Sequence, residues 1–218
     1  MDIQSTITYI MEMIGTIAFA ASGAMVGIRK KMDIFGVCVL GFVTACGGGM
    51  VRDLILGITP PNVFRNPDYA LVAVCTSLIV FAVVYAKRDL MSGSFKIIYD
   101  KVMLIMDTIG LAIFTVVGVN IGIQAGYLEK IFLLTFVGTI TGVGGGLMRD
   151  VMADEPPYIF VKHIYASASV IGSIVCVYMH RAFGIVVSMI VSSAVILLIR
   201  YLAAHYHWNL PHIDFEEK

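Results

Sequence analysis

The sequence predicts an all-α membrane protein with seven transmembrane helices, built as two inverted three-helix repeats plus a seventh helix. Three observations carry this prediction. The 218 residues are 59% hydrophobic and only 14% charged, with a mean hydropathy of +0.90, whereas soluble domains carry about 25% charged residues. Seven apolar runs are each long enough to cross about 30 Å of hydrocarbon at a helical rise of about 1.5 Å per residue. The first three runs share landmarks with the next three, in order and at a nearly constant offset.

Taken along the chain, the runs are 6–28, 34–56, 69–86, 102–123, 131–153, 164–180 and 184–202. The start, Met1-Asp2-Ile3-Gln4, lacks the basic region of a secretory signal, so the first run is expected to remain as a span. Polar connections separate the runs: Arg29-Lys30-Lys31, Thr59-Pro60-Pro61, Lys87 to Lys101, Glu129-Lys130, Asp154-Glu155-Pro156-Pro157 and His180-Arg181. The expected organisation is a first three-helix repeat over 1–90, a second, inverted one over 91–182, a seventh helix over 183–203 and a cytoplasmic tail over 204–218. The four cysteines, Cys38, Cys46, Cys75 and Cys176, lie inside apolar runs without a CxxC spacing and read as small hydrophobes.

The duplication rests on specific residues. Glu12-Met13-Ile14-Gly15 matches Asp107-Thr108-Ile109-Gly110, and Gly23-x3-Gly27 matches Gly118-x3-Gly122. Pro60-Pro61 matches Pro156-Pro157, Phe64 matches Phe160 and Tyr69 matches Tyr165, so copies stay 95 to 97 residues apart. An odd number of spans per unit forces the second unit upside down, the arrangement that places a solute or ion path at the repeat interface. Ten Lys and Arg (Arg29, Lys30, Lys31, Lys87, Arg88, Lys96, Lys101, Lys162, Arg200, Lys218) fall on one side and three (Arg65, Lys130, Arg181) on the other. The positive-inside rule then predicts an outside N-terminus and a cytoplasmic C-terminus.

The residues with chemistry sit within this frame. Gly47-Gly48-Gly49-Met50-Val51-Arg52-Asp53 recurs as Gly144-Gly145-Gly146-Leu147-Met148-Arg149-Asp150, each copy inside an apolar run. Small residues four apart, such as Gly41/Ala45/Gly49 and Gly138/Gly142/Gly146, are explained by close helix packing. Three in a row are not, because consecutive residues face different ways. The triplets are expected to mark a kink or unwound turn, tolerated at membrane depth only in protein or beside water. Bare carbonyls there suit a cation or an ammonium group, and free N–H groups suit a carboxylate.

Charges at membrane depth are costly and face a bundle interior or a wet cavity. Glu12 lies about six residues into the first run, roughly 9 Å deep, nearly level with Arg52 and Asp53; Asp107, Arg149 and Asp150 form the mirror set. Adjacent Arg and Asp point about 100° apart on a helix and are poorly placed to pair. The expected ion pairs are therefore Glu12–Arg52 and Asp107–Arg149, with Asp53 and Asp150 partly free. Each mouth then holds two carboxylates against one guanidinium, an excess that favours cations. Charges that merely staple helices together are the plainer reading, and the two are compatible.

Other candidates are weaker. His205, His207 and His212 could ligate a metal, but a solvated tail is simpler, and no metal site or other cofactor is expected. Trp208 with Tyr201 and Tyr206 reads as an interfacial anchor. Lys87, Arg88, Lys96 and Lys101 suit membrane lipids with anionic head groups, and topology signalling explains them equally well. Zero net charge gives no sign of nucleic acid, and no nucleophile–base set, His-Glu metal spacing or phosphate loop points to an enzyme.

The duplicated three-span unit with its Gly-Gly-Gly-x-x-Arg-Asp signature, plus a seventh helix, resembles the prokaryotic trimeric intracellular cation (TRIC) channels, also called glycine-transporter-domain membrane proteins. The resemblance covers about residues 5 to 202. It implies a homotrimer in a bacterial or archaeal cytoplasmic (inner) membrane with one pore per protomer. Spans 2 and 5, bent at the triplets, would line the pore, and potassium would be the main permeant ion. The alternative is a transporter of a small amino acid such as glycine, and a membrane subunit without transport is a third class.

Overall fold

The computed structural model describes residues 3–87, 95–161, 164–206 and 208. Described residues fold into α-helices: α1 Ile3–Arg29, α2 Ile34–Ile55, α3 Asn62–Arg65, α4 Asp68–Ala86, α5 Phe95–Gln124, α6 Ile131–Met152, α7 Tyr158–Val161, α8 Ala166–Phe183 and α9 Ile185–His205. Seven are long and apolar enough to cross a membrane. They are the seven expected runs, shifted by a few residues at most ends. Arg88, Lys162, His207, His212 and Lys218 lie outside the described residues.

Local sequence fixes the ends. Asp33 caps α2, its carboxylate accepting from Gly36 N at 2.7 Å, which satisfies one of the free N–H groups of the first turn. Gly184, at φ +79°, joins α8 directly to α9; that left-handed conformation suits a residue without Cβ. The connection expected from Lys87 to Lys101 is shorter than predicted, because α5 begins at Phe95. Its first turns are held down by an apolar face: Tyr99 and Met103 are buried, and the Arg29 guanidinium lies 4.3 Å over the Tyr99 ring. The sequence reading also missed the two short helices α3 and α7, which occupy matching places after the Pro-Pro turns.

The inversion is visible in the contacts that cross the repeats. The positions of Gly48 and Gly145 abut the Thr141 and Thr44 carbonyls respectively. Residue numbers in that pair of contacts run in opposite directions, so α2 and α6 are antiparallel. The contacts are also reciprocal, since Thr44 and Thr141 are themselves repeat equivalents. A second self-matching pair lies between α1 and α5: Phe19 and Phe114 meet with ring centroids 5.3 Å apart. A pseudo-two-fold axis thus passes between the two phenylalanines and between the two glycine triplets. Helix α4 flanks α1 and α2, α8 flanks α5 and α6, and α9 packs on α8 and α5 outside the repeat.

Packing explains most glycines. A Cβ on Gly23 would stand 2.5 Å from Thr44 Oγ1, and one on Gly118 2.5 Å from Thr141 Oγ1. Small residues let these backbones approach where lipid offers no hydrophobic drive to association. Two sides of the bundle can be told apart by ion pairs. Arg29 and Lys30 at the end of α1 pair with Glu155 after α6. On the opposite side Arg181 at the end of α8 pairs with Glu129 before α6 at 3.1 Å.

Candidate functional site

Helices α2 and α6 are continuous through Gly47–Gly49 and Gly144–Gly146, so the unwound turn expected at each triplet is not formed. The reason is in the packing. The second glycine of each triplet, Gly48 or Gly145, lies against a threonine carbonyl of the other helix. The first lies beside the same crossing, Gly47 against Met148 Sδ and Gly144 against the Gly48 Cα. The third turns away toward its own arginine: a Cβ on Gly49 would stand 3.6 Å from Arg52 Nη2, and one on Gly146 would stand 3.6 Å from Arg149 Nη2. Three faces of a continuous helix thus need three glycines.

Each arginine folds back onto the aspartate that follows it. Asp53 Oδ1 accepts from Arg52 Nε at 2.8 Å and faces Arg52 Nη2 at 2.7 Å; Asp150 Oδ1 accepts from Arg149 Nε at 2.8 Å. These pairs correct the expectation that neighbours on one helix are poorly placed to pair, because the long arginine side chain spans the angular gap between their Cβ atoms. Nor are the aspartates partly free. Asp53 Oδ2 accepts from the Asn62 N–H at 2.7 Å, and Asp150 Oδ2 accepts from the Tyr158 N–H at 2.7 Å. One carboxylate in each repeat therefore clamps the end of its helix, its arginine and the first turn of the short helix beyond the Pro-Pro turn.

The two sites then differ. In the second, Asp107 Oδ1 pairs with Arg149 Nη1 at 2.5 Å as expected, and Ser22 of α1 donates to the same Oδ1 at 2.8 Å while accepting from Arg149 Nη1. In the first, among the described residues, Arg52 is ion-paired with Asp53 and Glu12 is held by the Tyr69 hydroxyl instead, at 2.5 Å. The expected Glu12–Arg52 pair is thus replaced by a tyrosine contact. Glutamate's extra methylene group carries its carboxylate to α4, whereas the shorter Asp107 stays with its arginine.

The first site is also the open one. Glu12, Thr16, Gly49, Arg52, Asp53 and Tyr69 line a cavity of about 50 Å³, more than the roughly 10–15 Å³ that a single water needs. The second site is sealed: Asp107 and Arg149 are 1% and 0% exposed. A hollow remains beside Gly146, where a Cβ would lie 3.5 Å from Tyr165 Oη, 3.6 Å from Arg149 Nη2 and 3.9 Å from Asp107 Oδ2. All three of those polar atoms are buried, and the Tyr165 hydroxyl faces the Asp107 carboxylate across the hollow. The third glycine of each triplet thus faces a space beside its arginine, open at one end of the bundle and closed at the other.

Arg200 of α9 is the functional-site neighbour that the sequence reading missed. Counted there as one of ten charges on a membrane face, it is 1% exposed. Its guanidinium Cζ lies 4.8 Å over the Tyr165 ring, and among the described residues its three side-chain nitrogens have no hydrogen-bond partner. A lone charge inside the apolar run of the one helix outside the repeat was the available signal.

Comparison with known proteins agrees with this architecture. The family model described as "Glycine transporter" matches residues 9–85 and again 104–181. The inner membrane protein YadS of Escherichia coli (strain K12) is 38% identical over 216 residues, 97% of this chain and 98% of YadS. A solved structure reported for conductance through TRIC cation channels is 35% identical, with a TM-score of 0.81 over 96% of this chain and 98% of that one. The TRIC trimeric intracellular cation channel orthologue from Rhodobacter sphaeroides is 29% identical, with a TM-score of 0.82 over 93% of this chain and 100% of that one.

Proposed function

The chain belongs to the glycine transporter family, and on that premise we propose that it conducts monovalent cations passively, potassium foremost, along a path inside each protomer of a homotrimer. The path runs beside the α2–α6 crossing and is lined by those two helices. The observation that carries this reading is the open cavity at Glu12, Arg52 and Tyr69, paired through the pseudo-two-fold axis with the sealed polar hollow at Asp107, Arg149 and Tyr165. Two charged, polar sites at opposite ends of one helix crossing are what a path across the bilayer needs. Lipid-facing helix surfaces would serve neither.

In this reading the protein is a multi-pass protein of a bacterial or archaeal cytoplasmic membrane. Residues 1–90 and 91–182 form its two inverted units, 183–203 the seventh helix and 204–218 the tail. Charge counting orients the Arg29–Glu155 side toward the cytoplasm and the Arg181–Glu129 side outward. The open site is then the outer mouth and the sealed site the inner one, so the structure corresponds to a path closed at its cytoplasmic end. At the outer mouth Glu12 and Asp53 outnumber Arg52, which favours cations over anions.

A transporter for a small zwitterion such as glycine depended on broken helices offering carbonyls and N–H groups, and the continuity of α2 and α6 removes that support. The experiment that separates the readings is Arg52→Leu in purified, properly assembled protein, studied by bilayer recording and by labelled-glycine uptake. The channel reading expects altered unitary conductance. Unchanged permeation in assembled protein contradicts a role for this site in the path.

A further inference from the structure

We infer that Arg200 makes the two mouths of the path electrostatically unequal, so that cation current through the protein rectifies. This rests on the channel reading above and adds to it a residue that neither the repeat nor its signature motif contains.

The outer site holds two carboxylates, Glu12 and Asp53, against one guanidinium, Arg52. The inner site repeats that set with Asp107, Asp150 and Arg149, but Arg200 stands beside it as a second guanidinium. Tyr165 meets both Arg200 and the inner charges: the guanidinium lies 4.8 Å over its ring, and its hydroxyl shares the Gly146 hollow with Asp107 and Arg149. Among the described residues the outer site has no buried counterpart of Arg200: Arg65, one turn beyond Asn62, is exposed and donates to the Thr59 carbonyl at 2.7 Å, and α9 has no counterpart in the first repeat. There the equivalent Tyr69 meets Tyr9, ring centroids 6.2 Å apart, much as Tyr165 meets Tyr158 at 5.9 Å.

Among the described residues Arg200 is ion-paired with no carboxylate, so nothing beside it cancels its charge, and cations meet its field across the electrolyte at the mouth, where salt screens it. A packing role alone is filled by an uncharged chain of the same length. The groups named above sum to one net negative charge at the outer mouth and none at the inner one. A unit charge acting over roughly 10 Å through water changes the local cation concentration about twofold. Cations therefore move inward from the outer mouth about twice as readily as they move outward.

The test is planar-bilayer recording of the full-length protein in symmetric KCl at 0.1 M and 1 M, where the screening length falls from about 10 Å to about 3 Å. The ratio of unitary currents at opposite voltages is compared for wild type, Arg200→Met and Arg200→Lys. The expected wild-type ratio is about two at low salt and near one at high salt. Arg200→Lys keeps it, and Arg200→Met brings it to near one at both. A monodisperse Arg200→Met protein with the wild-type ratio overturns the inference. If Arg200→Met does not assemble, a wild-type ratio of one at low salt does so instead. Currents with an unchanged ratio overturn this inference alone, whereas absence of unitary currents from every protein overturns the channel reading with it.

Discussion

Adding one methyl group to the second glycine of a triplet, and separately to the third, divides the two jobs the triplet performs. At Gly145 the new Cβ falls on the Thr44 carbonyl, and at Gly48 it falls on the Thr141 carbonyl. Both obstacles are backbone of a packed helix and cannot swing aside, so α2 and α6 must separate. Overpacking of this kind costs about 1–3 kcal/mol, a fall in melting temperature of roughly 2–12 °C for a chain of this size. At Gly49 and Gly146 the nearest atoms of a new Cβ lie at 3.6 Å and 3.5 Å, ordinary contact distances. There alanine gains up to about 1 kcal/mol of helix propensity. Yet Gly49→Ala puts a methyl group into the cavity at Arg52, taking the room of about one water. Gly48→Ala and Gly145→Ala are therefore expected to lower thermal stability in detergent. Gly49→Ala should preserve or raise stability while reducing unitary conductance in bilayers. Equal destabilisation by Gly49→Ala and Gly145→Ala would refute the division of labour argued here.

Other contrasts between the two repeats are as direct. Tyr69→Phe removes the hydroxyl that holds Glu12 and is expected to cost about 1 kcal/mol and to alter conductance, whereas Tyr165→Phe removes a hydroxyl that faces Asp107 without a well-formed hydrogen bond and should cost less, as melting curves read. Asp53→Ala strips Arg52 of its ion pair and should cost about 3–5 kcal/mol; Asp150→Ala should cost less, because Arg149 keeps Asp107, and side-by-side melting curves read the difference. Ser22→Ala, which deletes a hydroxyl bridging Asp107 and Arg149, should lower the melting point by a few degrees for a loss of about 1–2 kcal/mol.

How much of this was legible in the sequence follows from what each feature depends on. The duplication and the seven spans could be read because Gly, Pro, Arg and Asp are conspicuous in apolar runs and kept their spacing. The Asp107–Arg149 pair followed from depth alone, since both residues had to find a partner at one level of the bilayer. The Arg52–Asp53 and Arg149–Asp150 pairs were missed because the reasoning used Cβ directions, while an arginine side chain is long enough to curl across a neighbouring position. The glycine triplets were read as a kink or unwound turn, and the unwound turn is absent because a partner helix occupies their faces: once α2 and α6 cross there, Thr44 and Thr141 supply the reason for Gly145 and Gly48. Arg200 escaped because counting charges by side assumes that each reaches water, and the packing of α9 on α5 and α8 keeps this one inside.

The central claim is that each protomer is a passive cation path and not a carrier, and one preparation tests it most directly. Purified protein is reconstituted once, and the same liposomes are fused to a planar bilayer in a potassium gradient and assayed for labelled-glycine uptake. The account predicts unitary currents reversing near the potassium equilibrium potential, with no saturable glycine uptake above that of protein-free liposomes. Saturable, structure-selective glycine uptake without unitary currents would contradict it.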